Sequence, residues 1–116
     1  MLHAAYVRLP ETEKDRVNKL LEKQSQSLGA DQVRIDALMA EYAKTEPGER
    51  FNELHSILGS EIRSLSPELE TYYSQYFSDR GTVVALAERY LSVFEELKGQ
   101  QEDLVTEING LADQID

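Results

Sequence analysis

The sequence predicts an all-α fold, a four- to five-helix bundle whose long C-terminal helix carries a coiled-coil-like heptad seam. Three observations predict it. Apolar residues recur at spacings of three and four along most of the chain. No segment sustains the two-residue alternation of a half-buried strand. The breaks between periodic segments carry helix caps, prolines and glycines.

Residues 1–10 read as an N-terminal arm, with a few apolar residues around His3 and Arg8. Pro10 suits the first turn of helix one, with Glu11, Glu13 and Asp15 near its positive end. Val17, Leu20, Leu21 and Leu28 form its stripe, and Gly29 is expected to end it. Helix two runs from about Asp31, a plausible cap, to about Lys44. Its face is Ile35, Leu38, Met39 and Tyr42. The turn Thr45-Glu46-Pro47-Gly48 leads into helix three, lined by Phe51, Leu54, Leu58, Ile62 and Leu65, with Ile57 beside them. Ser66-Pro67-Glu68 is the clearest helix start in the chain: a capping hydroxyl, a proline at the first helical position and an acid in the first turn. Helix four carries Leu69, Tyr72, Tyr73, Tyr76 and Phe77 and stops at Ser78-Asp79-Arg80-Gly81, after which Thr82 can cap helix five.

Helix five differs in kind from the other four. Val83, Ala87, Tyr90, Phe94, Leu97, Gln101, Leu104, Ile108, Leu111 and Ile115 follow one another at alternating spacings of four and three, the signature of a coiled-coil seam. Leu86, Leu91, Val93 and Val105 widen the stripe, more so in its first half. A continuous helix over 82–115 would be about 50 Å long, against a diameter of about 35 Å for a compact domain of this size. The helix therefore either overhangs its domain or breaks, and Gly99 is where a break is expected, glycine costing about 1 kcal/mol inside a helix.

The whole chain of 116 residues fits one domain, divided here into the arm, a bundle over 11–98 and a C-terminal helix extension over 99–116. Without cysteine it has no disulfides, zinc–thiolate sites or thiol chemistry. No apolar run approaches the roughly 18–20 residues that span a bilayer, and the first nine residues do not make a signal-peptide core. A cytoplasmic protein with no membrane partner is expected. The net charge is −10, and even the most basic stretch, residues 1–23, sets five bases against four acids. Such a field opposes nucleic-acid binding. The start of helix five, Thr82-Val83-Val84-Ala85, is also too apolar to read a DNA groove.

Catalysis finds little material. His3 and His55 have no ligand-spaced neighbours and are expected at the surface or half-buried, with no metal or other cofactor. No serine lies in a Gly-x-Ser-x-Gly elbow, and Glu95–Glu96 and Glu102–Asp103 point apart on a helix. The chain reads as non-enzymatic. Its aromatic cluster is the one feature that suggests a ligand: Tyr72, Tyr76, Tyr90 and Phe94 are candidates to line a small-molecule pocket, since buried tyrosines need hydroxyl partners. Tyr72 and its neighbour Tyr73 are not expected to both point inward. The leading expectation is a protein–protein interaction module, a small acidic regulator, adaptor or inhibitor. It would form a homodimer through Leu97, Gln101, Leu104, Ile108, Leu111 and Ile115, and its acidic surface would suit a partner with a basic one. A tyrosine-lined ligand-binding bundle is the alternative, and an acidic DNA mimic the second alternative.

Overall fold

The computed structural model describes residues 1–115, with side chains as far as residue 114. Among them the fold is all-α, with six α-helices, one short 3-10 turn and no strand. The helices are α1 (Leu2–Val7), α2 (Glu11–Ser25), α3 (Gln32–Thr45), α4 (Arg50–Glu61), α5 (Pro67–Tyr73) and α6 (Arg80–Ile115). The chain divides into two units, Met1–Val84 and Ala85–Asp116. No helix among the described residues is long and apolar enough to cross a membrane.

In the first unit α4 is the hub, with α1, α2 and α3 packing on it and α5 packing on α2. Leu54, Ile57 and Leu58 of α4 are buried against Val17 and Leu21 of α2, Ile35 and Met39 of α3, and Leu69, Tyr72 and Tyr73 of α5. The stripes read from periodicity are therefore the faces that meet. Ser66 caps α5 as its sequence implies, its Oγ accepting from the Leu69 N–H at 3.3 Å, with Pro67 in the first turn.

Five boundaries depart from the sequence reading. One of them is the end of helix four, which stops at Tyr73 rather than Ser78, so that Tyr76 and Phe77 follow it outside the helix. Residues 2–7 of the arm form a helix. Six residues cannot hold a helix alone, and α1 persists because Leu2 is buried in the core and the Tyr6 hydroxyl donates to Asn18 Oδ1 of α2 at 2.8 Å. Helix one stops at Ser25 rather than Gly29. The Gln32 side chain crosses the gap, donating to the Ser25 carbonyl at 2.7 Å and accepting from the Leu28 N–H at 3.1 Å, and Gly29 turns the chain at φ +57°. Helix three stops at Glu61, where Ile62 turns extended while staying buried. The last helix starts at Arg80, not Thr82. Asp79 takes the capping role, accepting from the Thr82 N–H at 3.3 Å and from the Thr82 hydroxyl at 2.6 Å. These bonds hold the exposed Asp79 carboxyl below its ordinary pKa.

Tyr73 shows why both neighbouring tyrosines can be buried. The short helix α5 ends at Tyr73, whose ring lies on Gly59 of α4 while its hydroxyl donates to the His55 carbonyl at 2.6 Å. Tyr72 meets the His55 ring as well, its own ring edge-to-face with that of Tyr73 at a centroid distance of 5.2 Å. A Cβ at Gly59 would stand 2.5 Å from Tyr73 Cε1 and 3.0 Å from Leu2 Cδ1. Alanine in a helix normally gains up to about 1 kcal/mol over glycine. Here the overpacking cost of about 1–3 kcal/mol outweighs it, because the tyrosine is tethered at its far end. Gly59→Ala should therefore lower the urea midpoint at neutral pH. A midpoint that rises would show that the Tyr73 ring can yield.

Candidate functional site

Two clusters match the sequence candidates, an aromatic core around His55 and the apolar stripe of α6. The first belongs wholly to the Met1–Val84 unit. His55 is fully buried, contrary to its expected place at or near the surface. It lies at the i, i+4 position from Phe51 and three residues before Leu58, on the same apolar face, so helix geometry turns it inward with them. His55 Nε2 and Tyr72 Oη share a hydrogen bond of 2.7 Å, and Tyr72 Oη lies 3.5 Å from Tyr76 Oη. The rings of Tyr6, Tyr72, Tyr73 and Tyr76 surround the imidazole at centroid distances of 5.4 to 6.3 Å. Among the described residues His55 Nδ1 meets no hydrogen-bond partner.

Burial sets the electrostatics of this cluster. It drives the His55 pKa down to about 4, helped by the charge of His3 and opposed by the Leu2 backbone. Burial likewise pushes the Tyr72 and Tyr73 hydroxyls well above the ordinary phenol range. All three groups are thus neutral near pH 7. His3 is exposed and pairs with Glu53 at 3.1 Å, so the two histidines play opposite parts. No group of three or more His, Asp or Glu side chains among the described residues is arranged to hold a metal ion.

Of the four residues proposed to line a pocket, Tyr72 and Tyr76 come together, with ring centroids 5.6 Å apart. That is direct edge-to-face contact, as between packed core rings. Tyr90 and Phe94 lie in the Ala85–Asp116 unit, where they are 77% and 56% exposed. One surface depression of the first unit, of about 260 Å³, is lined by other residues, Leu20, Lys23, Gln24, Ser27, Ser66 and Glu68.

The second cluster is α6 itself. The helix runs unbroken through Gly99, which a single glycine permits when its neighbours are strong helix formers. Leu97, Leu104, Ile108 and Leu111 are 58%, 58%, 62% and 54% exposed, and Leu86, Val93 and Val105 are exposed beside them. Gln101 is exposed in the same row, and the Ile115 side chain lies outside the described residues. The face away from the row carries Glu95, Glu96, Glu102, Asp103, Thr106 and Asp113, all exposed.

Arg80 is the feature that periodicity missed. Its nearly buried guanidinium donates to the carbonyls of Gly59, Ile62 and Arg63 at 3.3, 2.5 and 2.9 Å, and pairs with both carboxylate oxygens of Glu70. It thereby closes the C-terminal end of α4 and ties it to α5. An arginine in the first turn of a helix opposes the macrodipole, and that misfit is the one signal of its tertiary role in the sequence. Comparisons with protein-family models, with curated proteins and with solved structures find no match for this chain.

Proposed function

We propose that the protein is a non-enzymatic protein–protein interaction module, a small acidic regulator, adaptor or inhibitor of the cytoplasm, and that it associates with itself through the heptad seam of α6. The observation that carries this reading is the exposed row Leu97, Leu104, Ile108 and Leu111 on one unbroken helix. Soluble proteins seldom leave so contiguous an apolar face wet. Fully burying a large apolar side chain, at about 1.5–3 kcal/mol and roughly 25 cal/mol per Å², corresponds to about 60–120 Å². The nine exposed between Leu86 and Leu111 are 48–77% exposed in the single chain, which leaves on the order of 300–600 Å² to bury per chain. A standard stable interface takes about 800 Å² per partner, somewhat over half of it apolar. The face is therefore of the size that a stable pair needs. A net charge of −10 would favour a basic surface on any further protein partner.

Analytical ultracentrifugation tests the reading. The wild type should sediment as a dimer at micromolar concentration, and the double variant Leu104→Asp, Ile108→Asp as a monomer of unchanged helical content. Both positions are exposed in the single chain, so the substitutions cost the fold little. A wild type that remains monomeric at high micromolar concentration would end the self-association reading.

A further inference from the structure

We infer that the α6 pair is a parallel, in-register, two-stranded coiled coil whose register is set by a layer in which Gln101 of each copy faces Gln101 of the other; this rests on the self-association proposed above. The spacing assigns the row to heptad positions. Ala87, Phe94, Gln101 and Ile108 fall at a; Tyr90, Leu97, Leu104 and Leu111 fall at d. In the second half of the helix leucine thus holds every d position. Ile108 at a with leucine at d is the combination that favours two strands over three or four. The outward positions there are Glu95, Glu96, Glu102, Asp103, Thr106 and Asp113, exposed and polar, so the helix offers one seam and not two.

The orientation follows from the one polar residue in the seam. In a parallel, in-register pair each layer is made of like positions, a against a and d against d. Gln101 then meets its own copy, and each amide has a donor and an acceptor for the other. In an antiparallel pair a positions face d positions, and every d position from Tyr90 to Leu111 is a large apolar or aromatic side chain. Gln101 would be buried there with its amide unsatisfied. A parallel pair slipped by one heptad fails for the same reason, since it sets Gln101 against Phe94 or Ile108. Only one arrangement satisfies the amide. The flanking positions Lys98, Gln100, Val105 and Glu107 carry too few charges to overrule it.

The chain lacks cysteine, so a single introduced thiol can carry a nitroxide label. Ser92→Cys, Thr106→Cys and Asp113→Cys place labels on one outward line, away from the seam, on exposed residues. Double electron–electron resonance on each singly labelled full chain then measures the distance between copies. A parallel, in-register pair gives the same short distance at all three sites. In an antiparallel pair the axial offsets at Ser92 and Thr106 sum to at least about 42 Å at 1.5 Å rise per residue, and the three sites cannot agree. Unequal distances would overturn the orientation while leaving the dimer standing. The absence of any dipolar coupling would overturn the self-association itself. Gln101→Ile should tighten the dimer by about tenfold or more, because a polar a residue fixes register at a cost in stability. Weakened association in that variant would overturn the register role of Gln101, whereas higher oligomers beside the dimer would support it, since a polar a residue also fixes the number of strands.

Discussion

Replacing Arg80 with methionine is expected to destabilise the Met1–Val84 unit by about 3–5 kcal/mol. Methionine keeps most of the aliphatic stem and its packing but removes every donor of the fork. Four acceptor groups lose their partner at once: the carbonyls of Gly59, Ile62 and Arg63 and the carboxylate of Glu70. The contacts to Gly59 and Ile62 are buried, and an unsatisfied buried acceptor costs about 1–3 kcal/mol. The Glu70 side chain is 43% exposed and regains water, so it adds little. Lysine at the same position keeps the charge but cannot span several acceptors with a planar fork, and it should fall between the two. Urea denaturation of all three proteins at one chain concentration reads the order, with the concentration held fixed because association would also stabilise the fold. Since a domain of this size has about 5–15 kcal/mol in hand, Arg80→Lys keeps the comparison measurable even where Arg80→Met fails to fold. A loss below about 1 kcal/mol for Arg80→Met would mean that solvent or a neighbouring donor replaces the guanidinium.

What was legible before the structure depended on whether a residue's role repeats along the chain. The stripes of α2, α3 and α4 repeat every three or four residues, and the same residues fill the core. The α5 start was legible because its cap is local, confined to Ser66, Pro67 and Leu69. Arg80 was not, since its partners lie 10 to 21 residues away in sequence and leave no period. Nor was α1, where burial of Leu2 and one hydroxyl bond from Tyr6 do what a longer stripe does elsewhere. Tyr73 became inward-facing because Gly59, on another helix, leaves room for its ring. His55 stood in an apolar row and could have been read as buried from that position alone. Its polarity argued the other way, and the Tyr72 hydroxyl resolves the conflict by meeting Nε2 inside the core. The α6 row was legible as a periodic apolar stripe, and in the single chain that stripe is exposed.

The pH dependence of stability should carry the mark of His55, amounting to about 3 kcal/mol between neutral pH and pH 4. Its pKa in the fold is about 4, against 6.5 for the free side chain, and burial is the main cause. Between those two values the unfolded chain binds a proton at this site that the folded chain refuses. Stability therefore rises with pH across that window, by up to about 1.4 kcal/mol per unit. The contribution is complete above pH 6.5, shrinks as the pH falls, and is gone near pH 4, where the folded protein takes up the proton as well. Carboxylates blur the lower end, because Glu13, paired with Arg16, and Asp79, bonded to Thr82, also sit below their ordinary values. Their losses come mainly below pH 4.5 and are common to wild type and variant. His55→Gln removes the imidazole and keeps a neutral group able to meet the Tyr72 hydroxyl. It should be less stable than the wild type at pH 7 and lose less on going to pH 4.5, so that the two stability curves converge. The imidazole resonances of the wild type should give one titration midpoint near 4 for the buried histidine. A midpoint near 6.5 for His55, or parallel stability curves for wild type and variant, would mean that water or an acceptor reaches His55 Nδ1 and that the core around it is open.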